Sequence, residues 1–66
     1  EAGALTHNQK EEVQRLLNRM GYDVGEPDGA IGEKTMAAIK SFQQRIGVSP
    51  DGYANATLLK QLQAAS

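Results

Sequence analysis

Glycan cleavage, proton transfer and metal binding each require particular side chains at particular spacings, and this 66-residue sequence offers few of them. A glycosidase-type site sets two carboxylates about 5 to 9.5 Å apart across a reacting sugar. Glu11 and Glu12 are adjacent on a helical pattern and so diverge. Asp28 and Asp51 each precede a glycine, where an aspartate is explained by bonding its own local amides in a turn. His7 is the single histidine; it falls in a first helical turn with no nucleophile beside it, which reads as a solvated helix start rather than a general base. With no cysteine and no second imidazole, neither a disulfide nor a thiolate zinc site is available. The stretch GEPDG from Gly25 supplies only Glu26 and Asp28, too few alternating oxygens for a calcium loop of EF-hand type. The expectation is no catalytic residue, no metal and no cofactor.

Binding chemistry is better represented. Gly32 to Thr35 opens a helix whose free amides, with Lys34 adding charge, favour a carboxylate, although Glu33 could itself occupy the positive end of the dipole. Tyr22 and Tyr53 are the only tyrosines, each close to a turn. An exposed ring there stacks on a sugar or bonds an amide, and a half-buried one closes the core. Gln43 follows Phe42 on a helix, where its amide could bond a peptide group or simply face water. Asp28 and Ile31 complete the set, Ile31 as the expected apolar anchor of its loop.

Seven Lys/Arg against eight Asp/Glu give a formal charge of -1, which offers no footprint for a phosphate backbone. The longest apolar run, Met36 to Ile39, is four residues, far short of the ~20 that span a bilayer, and no signal-peptide pattern opens the chain. A chain of this size buries only about 60% of its unfolded surface, enough for one core. The start at Glu1 without methionine suggests a piece of a larger polypeptide.

The elements that would position these side chains are three helices. Val13, Leu16, Leu17 and Met20 form one apolar stripe, Thr6 with Gln9 reads as a capping box, and Gly21 is a left-handed stop, so the first helix is expected over His7 to Met20. Tyr22 should then pack back on Leu17. DVGEPDGAIG, from Asp23 to Gly32, reads as consecutive turns. A second helix begins near Gly32 or Glu33, carries Met36, Ile39, Phe42 and Ile46 on one stripe, and stops at Gly47. After VSPDGYA, Asn55 caps a third helix with Leu58, Leu59 and Leu62. Val13, Leu16, Leu17, Ile39, Phe42, Leu59 and Leu62 are the expected core.

The chain also echoes itself. Laying Gly21 on Gly47 puts Val13, Leu16 and Met20 on Ile39, Phe42 and Ile46, and DGAIGEKT echoes DGYANAT. The fold expected is all-α, a small three-helix bundle, orthogonal or partly open, with two Asp-Gly turns and an internal pseudo-repeat. Its domain would span 6–64, with a disordered or linker segment at 1–5 and a tail at 65–66.

The ordered series Val13-Gln14, Leu16-Leu17, Gly21-Tyr22, Asp28-Gly29, Ile31-Gly32, Thr35, Ala38, Phe42-Gln43, Gly47, Asp51-Gly52 and Leu59 resembles the small three-helix peptidoglycan-binding domain appended to bacterial cell-wall enzymes. Tyr22-Asp23-Val24-Gly25, Pro27-Asp28-Gly29 and Asp51-Gly52-Tyr53-Ala54 look most like the version that follows the catalytic part of lytic murein transglycosylases. Two departures stand out: Glu33 where many members carry proline, and Ala54-Asn55-Ala56-Thr57 in place of a second Gly-x-x-Thr. The resemblance implies a monomeric, non-catalytic module that targets a tethered lytic enzyme to murein in the bacterial periplasm or cell envelope. It would hold glycan or stem peptide through Tyr22, Asp28, Ile31, Gly32, Lys34, Thr35, Gln43 and Tyr53. The alternatives are a protein-protein or intramolecular docking module and, third, a helix-turn-helix nucleic-acid binder, which the acidic balance disfavours. Neither nucleic acid nor membrane insertion is expected.

Overall fold

At four of the six helix ends a local hydrogen bond replaces a missing helical one. In the computed structural model, which describes residues 5–65, the helices are α1 (His7–Arg19), α2 (Glu33–Ile46) and α3 (Ala56–Ala65). Before α1, Thr6 Oγ1 accepts the Gln9 amide at 3.2 Å and the Thr6 amide donates to Gln9 Oε1 at 2.9 Å, the reciprocal capping box. α1 ends at Arg19, one residue before the expected Met20. Gly21, at φ +98°, turns the chain so that the Tyr22 amide reaches Leu17 O and the Gly21 amide reaches Asn18 O, both at 3.0 Å. α2 closes the same way: Val48 donates to Gln43 O at 3.0 Å and Gly47 to Gln44 O at 3.2 Å. These are paired Schellman stops. Asn55 Oδ1 caps α3 by accepting the Leu58 amide at 2.8 Å.

α1 is the central element and packs against both α3 and α2. The core takes Val13, Leu16 and Leu17 from α1, Ala38, Ile39 and Phe42 from α2, and Leu58, Leu59 and Leu62 from α3. All seven expected core residues are buried. Each large apolar side chain removed from water contributes about 1.5–3 kcal/mol.

One expectation changes. The buried anchor of the α1–α2 loop is Val24, 6% exposed, whereas Ile31 stays partly exposed and outside the core. The reason lies in Asn18, whose Oδ1 accepts the Val24 amide at 3.1 Å and whose Nδ2 donates to Gly25 O at 2.8 Å, drawing that stretch onto α1. Met36 and Ile46, at the two ends of the α2 stripe, remain 38% and 39% exposed, because the stripe runs past the part of α2 that its neighbours cover. Of the expected N-terminal linker only Leu5 is among the described residues, and it packs against the core; Ala65 belongs to α3.

Candidate functional site

Two buried glutamines hold the loops that shape the surface. Gln14, on α1 and 1% exposed, accepts the Gly29 amide on Oε1 at 2.8 Å and donates through Nε2 to Ala30 O at 2.8 Å and Thr35 Oγ1 at 3.4 Å. Gln43, on α2 and 4% exposed, accepts the Gly52 amide at 3.0 Å and donates to Asp51 Oδ1 at 2.9 Å. Asp28 and Asp51 then bond the amide two residues on, Ala30 at 2.9 Å and Tyr53 at 3.0 Å. The two loops therefore repeat one hydrogen-bond pattern. Its register sets Gln14 on Gln43, while the paired Schellman stops set Leu17 on Gln43, so the glycine stop comes three residues sooner after Gln43 than after Gln14.

Gly29 and Gly52 are both buried at positive φ, and a long side chain lies over each: the His7 ring over Gly29, the Lys40 stem over Gly52. Only glycine fits at Gly29 without moving His7. His7 also pairs with Glu11 at 3.0 Å. The Asp28 carboxyl is held below its ordinary range by the Ala30 amide and then by Gln14, with His7 adding a smaller contribution against the opposing effect of burial. Asp51 is lowered by the Tyr53 amide and then by Gln43.

The first glutamine's loop and the start of α2 enclose a groove of about 420 Å³ whose lining includes Asp28, Ala30, Gly32, Lys34 and Thr35. Gly32, the N-cap, supplies no side-chain cap, so the first-turn amides of α2 face this groove's margin with Glu33 and Lys34 exposed beside them. A smaller groove of about 270 Å³, with Gln43, Asp51 and Asn55 in its wall, sits at the start of α3. There the Asn55 side chain already occupies the corresponding amide.

Of the eight residues expected to bind, Asp28, Gly32, Lys34 and Thr35 come together in the larger groove, with Ile31 between them in sequence. Thr35, 2% exposed, has its hydroxyl turned to Gln14, and Gln43, expected on a solvated helix face, is spent on Asp51 and Gly52. Gln43 positions backbone and Thr35 braces the Gln14 amide, so neither side chain presents a free group. Tyr22 is half-buried against the core, as its place after the Schellman stop requires, and Tyr53 is 69% exposed. The sequence reading missed the clamping roles of Gln14 and Asn18. For Gln14 the signal was its place beside Val13 and one turn before Leu17, inside the apolar stripe. Among the described residues no three His, Cys, Asp or Glu side chains are placed to hold a metal ion, and no helix is long and apolar enough to cross a membrane.

A family model described as "Putative peptidoglycan binding domain" matches residues 6–62. The chain belongs to this family of binding domains. Among solved structures, this peptidoglycan-binding domain is similar to part of SltB3 from Pseudomonas aeruginosa in complex with NAG-anhNAM-pentapeptide. The match has a TM-score of 0.85 at 42% identity and covers 91% of this chain and 16% of that one. SltB3 in complex with NAG-NAM-pentapeptide matches with a TM-score of 0.84 at 42% identity, over 89% and 16% of the two chains. Among curated proteins, the "Putative OxPP cycle protein OpcA" of Synechocystis sp. is 39% identical over 57 residues, 86% of this chain and 12% of its own length. The domain thus spans only 12% to 16% of these relatives.

Proposed function

We propose that the domain is a non-catalytic module that binds peptidoglycan in the bacterial cell envelope and holds a tethered lytic enzyme against it. The observation that carries this reading is the 42% identical, similarly folded segment of SltB3, a protein whose structures hold a glycan-pentapeptide. The physical mechanism is effective concentration: a weak module raises dwell time once a linker joins it to a second binding surface. The groove at the start of α2 is the proposed contact, with Gly32 and Lys34 receiving an anionic or amide oxygen and Asp28 in its lining; Ile31, next to Gly32 in sequence, is proposed to meet the bound chain. Tyr22 and Tyr53 are proposed to flank the bound chain.

A second reading, docking onto a partner protein or onto the parent enzyme, is favoured by the likeness to a segment of a protein named for the OxPP cycle. Activity of the parent enzyme with and without this domain separates the two. Targeting lowers the rate on insoluble peptidoglycan when the domain is removed and leaves the rate on a soluble fragment unchanged. A changed rate on the soluble fragment supports docking over the catalytic part.

A further inference from the structure

A separate groove of about 390 Å³ opens where the three helices finish, lined by Arg19, Met20, Phe42, Arg45, Ile46 and Ala65. Its base is apolar: Phe42 is 1% exposed, Met20 is partly buried, and Ile46 keeps 39% of its surface in water although it lies on the core stripe of α2. Its rim carries two guanidinium groups. Among the described residues the arginine held in ion pairs is Arg15, with Glu11 and Glu12 on α1, and neither Arg19 nor Arg45 has a carboxylate partner. Among the described residues no carboxylate lines the groove. A chain of net charge -1 therefore concentrates two positive charges on one apolar cleft.

A basic residue in the last turn of α1 and of α2 also complements the helix dipole, worth about 0.3–1 kcal/mol each. That explains a charge at each helix end, but not an open apolar cleft between the two. The six lining residues compare with about 20–30 a side for a stable protein interface, while the volume falls in the range of about 300–1,000 Å³ that takes a small ligand.

We propose that this groove binds the C-terminal end of a short peptide with alanine-sized side chains and a free carboxylate, the chemistry a peptidoglycan stem presents. The carboxylate meets Arg19 and Arg45 in charge-assisted hydrogen bonds, and the methyl groups lie on Met20, Phe42 and Ile46. This deepens the peptidoglycan reading and rests on it. The groove at the start of α2 lies at the opposite end of that helix, about 20 Å away at 1.5 Å rise per residue, so occupancy of the two is resolved residue by residue.

The test is an amide chemical-shift titration of the full chain with a stem pentapeptide ending in two D-alanines, as the free acid and as the C-terminal amide. The expected result is shifts at Arg19, Met20, Arg45, Ile46 and Ala65, at least about tenfold weaker binding of the amide, and a similar loss in Arg19→Gln with Arg45→Gln. Both substitutions are on the surface, and Arg45→Lys, which keeps charge but not the fork, should recover part of the binding. Equal binding of acid and amide overturns the proposal, as do shifts confined to Gly32–Lys34 or equal competition by an Asp/Glu-rich peptide lacking alanine. Groove shifts that follow protein concentration without peptide would show a second copy as the occupant and overturn it as well. If the domain sediments with insoluble peptidoglycan while the pentapeptide leaves this groove unshifted, the proposal fails and the peptidoglycan reading stands. Failure to sediment fails that reading itself.

Discussion

The Oε1 of Gln14 on α1 accepts the backbone amide of Gly29, 15 residues later, at 2.8 Å in a buried contact. That bond ties the α1–α2 loop to the central helix, and Gln43 repeats it with Gly52 at 3.0 Å. A chain of this size has about 3–10 kcal/mol of total stability, so two such clamps account for a large share of it.

Gln14→Ala strands the Gly29 amide and the Ala30 carbonyl and should cost about 2–4 kcal/mol in urea unfolding. Gln43→Ala should be similar. A loss below about 0.5 kcal/mol for either would show that the clamp contributes little.

Gly29→Ala meets two obstacles, φ +83° and the His7 ring. His7 is exposed and can swing aside, so the backbone conformation should dominate and the cost should be about 1–2 kcal/mol. In a His7→Ala background the cost should fall only slightly. A large coupling between the two positions, by double-mutant cycle, would contradict this.

Asp28 and Asp51 have depressed carboxyl pKa values. A depressed folded value means that the stabilisation is fully present above the unfolded value of about 3.9 and is lost as pH falls through the folded values. Unfolding midpoints should therefore stay flat from neutral pH to about pH 5 and drop below about pH 4, less steeply in Asp28→Asn. A midpoint that rises on acidification would have the wrong sign.

Gly32 has φ -100° and open space around its α-carbon, so Gly32→Ser fits and adds the missing N-cap oxygen. Stability should rise by a few tenths of a kcal/mol while binding at the α2 start weakens, because the added hydroxyl competes for the same amides. A variant both more stable and unchanged in binding would remove the α2 amides from the contact. Phe42→Ala cannot serve as a binding test, since its cost of about 3–5 kcal/mol rivals the whole stability.

The helix limits were legible because they are written in local chemistry. Thr6 with Gln9, Gly21, Gly47 and Asn55 each act within six residues of the group they satisfy. The apolar stripes likewise located the core from Val13 to Leu62. Gln14 and Gln43 were harder to read because a glutamine on a helix has the same helical spacing whether it faces water or a loop amide that arrives 9 to 15 residues later. Ile31 and Val24 are equally apolar, and only the Asn18 contacts decide which one turns inward. The cleft between Arg19 and Arg45 depends on how two helix ends meet, which periodicity within each helix does not encode.

Co-sedimentation of the folded domain with purified insoluble peptidoglycan tests peptidoglycan binding most directly. The domain should move into the pellet at low salt and return to the supernatant when soluble peptidoglycan fragments that carry both glycan and stem peptide are added in excess. If it stays in the supernatant while a known wall-binding protein sediments beside it, the peptidoglycan-binding account is wrong.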